Sequence, residues 1–276
     1  MTPRKRVLPW MIVLDAMFTI FHGRRGHRQT VVDVYRRHGH LSRVKTKDIW
    51  RAILDARMLV SETVKPKDYW AFVAGLVLSK CNPVRFPDAA EAVEPGRLIY
   101  KELHSNPDLY MVPSEIRRML YALARERDAR RRTRSPSLRL LLGSNQEQEW
   151  LIGLLEHFGL VGLFDGVYTS EILGEWKPHL PFWSCIATRE NLPVPRMLYV
   201  GNSPGRDAPG ALVGGKRGEQ LDSVYILDLD GSRRAEFSKL GLDPTYVEPL
   251  RALRLQYWGS PRRLTGYLIQ HTRTSS

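Results

Sequence analysis

The 276 residues are 43% apolar and 9% aromatic, which excludes a disordered or fibrous chain and allows one large domain or a domain with a sizeable insertion. Lys and Arg number 42 against 29 Asp and Glu, a net charge of +13 that attracts polyanions without naming one. Cys81 and Cys185 offer neither metal spacing nor a disulfide framework, which points to two small buried apolar groups in a reducing, cytoplasmic compartment.

Arg4, Lys5 and Arg6 followed by VLPWMIVL imitate a secretory signal, but Asp15 interrupts the run and no small-residue cleavage site follows. The stretch 7–14 therefore reads as a buried strand ending at Asp15. From about 27 to 129 the pattern is helical. Val31, Val32, Val34 and Tyr35 form one apolar stripe, and Ile49, Trp50, Ile53 and Leu54 form another. Asp68 to Cys81 and Ser114 to Arg127 complete the block, with Ser114 as an N-cap. The longest apolar stretch, Tyr69 to Leu78, is too short to cross a membrane. Next, RERDARRRTRSPS (125–137) reads as an exposed, mobile loop, because its arginines repel one another and Pro breaks the helix. Deleting Arg130 to Arg134 should then leave the melting temperature nearly unchanged. That loop and the tail RRLTGYLIQHTR are candidate contacts for a polyanion such as RNA, or for an acidic partner.

Beyond the loop, strands and helices alternate. LRLLLG (138–143) reads as strand and QEQEWLIGLLEHFG (146–159) as helix. GVYTS (166–170) is strand, followed by a helix through Phe182 to Arg189; MLYV (197–200) and VYILDLD (224–230) are further strands. Such alternation predicts an α/β fold, a Rossmann-like doubly wound parallel sheet interrupted by an inserted all-helical block. The expected core is 1–22 with 130–276. The helical domain is 23–129, with 110 as an alternative end.

Ligands bind beyond the carboxyl ends of strands in such sheets. The polar residues there are Asp15, Ser144 with Asn145, and Asn202 with Ser203 and Asp207; Lys177 opens the intervening helix. Asp15, Ser144, Lys177 and Asp207 should converge at one edge of the sheet.

These residues carry a family resemblance. IVLDAMFTIF (Asp15, Thr19), LLLGSN (Ser144), LGEWKPHLPFW (Lys177) and LYVGNSPGRDAPGALVGG (Asp207) resemble, in order, the four motifs of the haloacid dehalogenase-like (HAD) superfamily, and the inserted helices sit where that family keeps its C1 cap. The resemblance implies a hydrolase of small phosphorylated or halogenated substrates. Asp15 would be the nucleophile that forms a covalent ester. Thr19, Ser144 and Lys177 would bind the transferring group, with Asn145 beside it. Asp15, Asn202 and Asp207 would form a weak Mg²⁺ site. Two departures stand out. Phosphatases of the family carry a second Asp where this chain has Met17, and an acidic metal ligand where it has Asn202. The superfamily's haloacid dehalogenases lack both acids and use no metal. Asp15-Ala16 with Thr19 resembles their first motif, and Trp50-Arg51 resembles their substrate-carboxylate Arg, making Arg51 a candidate substrate-binding residue. Their Asn in the last motif is Pro204 here, and their Tyr after the Lys is Trp183. A catalytically degenerate scaffold, binding RNA or an acidic partner, is the alternative. Asp228-x-Asp230-Gly-Ser imitates the first motif, but too little chain follows for three more, so it reads as a strand end and turn.

Overall fold

The computed structural model describes residues 9–39, 41–59, 66–133, 137–177, 179–203, 221–227 and 255–274. In chain order these form β1 (Trp10–Leu14), the short β2 (His22–Gly23), α1 (His27–Gly39), α2 (Thr46–Leu59), α3 (Pro66–Cys81) and α4 (Val93–Ser105). Then come β3 (Tyr110–Met111), α5 (Ser114–Arg131), β4 (Leu138–Ser144), α6 (Gln148–His157), β5 (Gly166–Thr169), the single turn α7 (Ser170–Leu173) and α8 (Leu180–Glu190). The last are β6 (Met197–Gly201), β7 (Ser223–Leu227), β8 (Leu255–Trp258) and α9 (Pro261–Thr274). None of the described helices is long and apolar enough to cross a membrane.

Six strands form one parallel sheet in the order β5-β4-β1-β6-β7-β8. β1 and β6 are buried at every position, as strands covered on both faces must be. Alternation along the strands sends Met11, Val13, Leu141, Tyr199 and Ile226 to one face, where Phe182, Trp183 and Ile186 of α8 cover them. The other face meets α9, through Trp10 against His271 and Tyr225 against Tyr267. The result is the α/β doubly wound sheet expected from the alternating pattern.

The chain divides into two compact units: Met1–Ile20, Val112–Asn145 and Gly159–Ser276 form the first, and Phe21–Met111 with Gln146–Phe158 the second. The division differs from the expected one in two places. Helix α5 packs on β4 and α9, so it belongs to the sheet unit, and the helical unit ends at Met111, beside the alternative end at 110 rather than at 129. Helix α6, expected on the sheet, packs instead on α4, with Trp150 against Tyr100 (ring centroids 5.2 Å apart). Within the helical unit α3 and α4 cross closely at glycines. A Cβ on Gly96 would lie 2.4 Å from the Ala71 carbonyl oxygen, and one on Gly75 would lie 2.9 Å from that of Ala89.

The expected arginine loop is corrected. Residues 125–131 are the last turns of α5, because Arg127, Arg130 and Arg131 are paired with carboxylates rather than left to repel one another. Arg127 donates to Leu163 O and Asp165. Arg130, only 3% exposed, donates to Glu126, to Ile269 O and Thr272 O at the end of α9, and to Thr272 Oγ1. Arg131 pairs with Asp165. Cys81 and Cys185 are free and half-buried rather than fully buried. Asp207, Pro204, Asp228, Asp230 and the Ser-Pro dipeptide 135–136 lie outside the described residues.

Candidate active site

β1 ends at Leu14, and the backbone N–H of Asp15 still donates to Val200 O (2.8 Å), so the Asp15 backbone remains fixed to β6. Beyond it the chain turns sharply. Ile20 N–H donates to Ala16 O, and Phe18 takes φ +62°, the left-handed region that bulky residues rarely enter. That strain turns Thr19 back, and its hydroxyl donates to Asp15 Oδ2 (3.3 Å).

Lys177 Nζ donates to Asp15 Oδ1 at 2.6 Å and to the Tyr199 hydroxyl at 2.6 Å, both buried contacts. The lysine backbone is held too. Asn145, just past β4, donates from Nδ2 to Lys177 O (2.9 Å), and its Oδ1 accepts from Lys177 N (2.8 Å). With its amide nitrogen turned to the acceptors, Asn202 donates to Asp15 Oδ2 (3.3 Å) and Met17 O (3.2 Å). Asp15 therefore sits 6% exposed with an ammonium on one oxygen and a hydroxyl and an amide on the other. Desolvating a carboxylate is costly, and these partners offset the cost.

The sheet thus brings Asp15, Thr19, Asn145, Lys177 and Asn202 together. Ser144 is buried at the end of β4, in register with Thr169. Arg51 is exposed on α2 of the helical unit. Asn145 holds the backbone of Lys177, and the Asn202 amide lies against Asp15 Oδ2 and Met17 O. Tyr199 and Phe18 were not anticipated. Tyr199 reads as one more apolar residue of a buried strand, and Phe18 is not a residue type that announces positive φ.

Mg²⁺ prefers several oxygen ligands, carboxylates among them. No group of three His, Cys, Asp or Glu comes together among the described residues, and both Asp15 oxygens accept from cationic or neutral donors. Asp15 Oδ2, Met17 O and the Asn202 amide lie together at this edge and are the described groups that would hold a divalent cation; Asp207, the remaining expected ligand, lies outside the described residues. Met17, nearly buried, offers no proton near Asp15.

No family model and no curated protein matches the chain. Solved structures do. The magnesium-bound HAD-hydrolase YfnB of Bacillus subtilis is 12% identical over 95% of this chain and 99% of its own, with a TM-score of 0.63. The L-2-haloacid dehalogenase of Xanthobacter autotrophicus is 16% identical over 95% and 98%, with a TM-score of 0.58, and has also been solved with chloropropionic acid covalently bound. The 2-haloacid dehalogenase of Pseudomonas syringae pv. Tomato is 15% identical over 96% and 100%, with a TM-score of 0.54. At 12 to 16% identity the likeness is one of architecture, and over nearly its whole length the chain has the haloacid dehalogenase-like α/β fold.

Proposed function

We propose that the chain is a metal-independent hydrolase in which Asp15 is the nucleophile and the substrate is a small molecule with a leaving group that needs no proton, a 2-haloacid before a phosphate ester. One observation carries this reading: Asp15 lies buried at the carboxyl edge of the sheet with Lys177 2.6 Å away, and Met17, two residues on, has no proton to give a poor leaving group. In the first step an Asp15 oxygen forms a bond to the carbon bearing the halogen, and halide leaves with the bonding electrons. Water then attacks the ester carbonyl, releasing the hydroxy acid, giving up one proton to solvent and restoring the carboxylate. Lys177, Thr19 and Asn202 hold the attacking carboxylate in one orientation and keep it ionised. The covalent chloropropionic acid adduct of the Xanthobacter dehalogenase supports this chemistry by analogy of fold.

The test is turnover of 2-chloropropionate in H₂¹⁸O, alongside acetyl phosphate and an alkyl phosphate, with Mg²⁺ or with EDTA. Expected are chloride release insensitive to EDTA, ¹⁸O in the peptide that contains Asp15, and loss of both in Asp15→Asn. Turnover without label at Asp15, or turnover that requires Mg²⁺, overturns the reading. Silence on every substrate leaves the scaffold alternative, a binding protein without turnover. For that alternative, the exposed arginines open to a polyanion include Arg125 and Arg132 of the run and Arg262 and Arg263 of the tail, whereas Arg127, Arg130 and Arg131 are engaged within the chain.

A further inference from the structure

We propose that Tyr199 is a positioning residue of this site, whose hydroxyl holds the Lys177 ammonium where Asp15 can use it. The chemistry rests on the Asp15 reading above; the geometry stands without it.

Tyr199 lies on β6, fully buried, among strand residues that are otherwise apolar or glycine. A buried hydroxyl is costly unless bonded, so a phenylalanine would serve the packing better. The hydroxyl's recorded donor is Lys177 Nζ at 2.6 Å, and the same ammonium lies 5.2 Å from the centroid of the ring. The ring itself is fixed. Trp183 packs edge-on against it with centroids 4.5 Å apart, and Phe182 packs edge-on against Trp183 in turn. A lysine tip rides on four flexible carbons. Here it is clasped at both ends, by Asn145 at the backbone and by Tyr199 and Asp15 at the ammonium. Burial disfavours the charged lysine, and the hydroxyl opposes that. Without the hydroxyl the ammonium would lean on Asp15 more heavily and tie up the lone pairs that attack.

The experiment uses full-length protein labelled with ¹⁵N-lysine. The Lys177 ammonium, recognised by its loss in Lys177→Met, is expected to give a proton signal protected from exchange with water. Tyr199→Phe keeps the ring and removes only the hydroxyl; it should speed that exchange by roughly tenfold or more, the equivalent of one charge-assisted hydrogen bond. Ile186→Val, which loosens the same apolar cluster, should leave the exchange close to wild type. On a substrate that is turned over, Tyr199→Phe should lower kcat and leave KM nearly unchanged. No protected signal in the wild type, or an unchanged exchange rate in Tyr199→Phe, overturns the proposal. Should Tyr199→Phe fail to fold, 3-fluorotyrosine at position 199 supplies the second measurement: its ¹⁹F resonance must move on Lys177→Met, and a stationary resonance overturns the proposal. Absence of ¹⁸O at Asp15 would sink the hydrolase and leave these exchange rates as they are, so the two failures are distinguishable.

Discussion

At the scale of single residues, the legible ones were those whose type clashes with their surroundings. Asp15 ends an apolar run, where a carboxylate is costly without partners, and Lys177 recurs at motif spacing. Tyr199, Asn145 and the strained Phe18 were not legible, because each does its work through a neighbour distant in sequence or through a backbone angle. His104 is a similar case in the helical unit. It lies against Tyr100 and Trp70, Gln146 Nε2 bonds its Nδ1 (3.1 Å), and burial pushes its pKa down to about 3. The imidazole is thus neutral when folded but takes a proton when unfolded below about pH 6.5. Its contribution is complete above that pH and is lost as the pH falls toward 3, at roughly 1 kcal/mol per pH unit. The urea midpoint should therefore fall between pH 7.5 and pH 5, and fall less in His104→Asn. Equal falls in the two proteins would show that other groups set the acid sensitivity.

At the scale of elements, period separated strand from helix well, but nothing in it says which partner an element packs against. QEWLIGLLEH is amphipathic wherever it docks, and its place beside α4 is decided by Trp150 meeting Tyr100. The arginine run misled for a related reason. Charge repulsion is a sound argument only for charges without counter-ions; Glu126, within the run, pairs with Arg130 one helical turn on, and Asp165 lies outside it altogether. Glu126 alone receives Arg130 and Arg273, which hold its carboxyl below the usual range, and so ties α5 to α9. Removing Arg130 takes one of the two partners of Glu126, which keeps Arg273, and leaves the carbonyls that end α9 without this donor. Arg130→Ala should cost about 2 kcal/mol, from lost charge-assisted hydrogen bonds and packing, a loss read by chemical denaturation and opposite to what a solvated loop would give. Arg132→Ala, exposed just past the same helix, should change stability by less than about 0.5 kcal/mol.

At the scale of the whole molecule, the helical unit is discontinuous, with α6 supplied by chain that returns after β4. Residues 21–111 expressed alone should lack the surface against which α4 packs and melt without a cooperative transition. Joining residues 146–158 through a flexible linker should restore one, seen by calorimetry; a cooperative melt from 21–111 alone would show that α6 is dispensable. The sheet carries a related consequence for synthesis. β1 pairs with β4 and β6, which follow it in the chain only at Leu138 and Met197. On the ribosome, this wholly apolar strand therefore emerges before either neighbour and lacks both while the helical unit is being made. Trp10–Leu14 is the segment of the nascent chain that a chaperone would be expected to shield until Gly201 has been added.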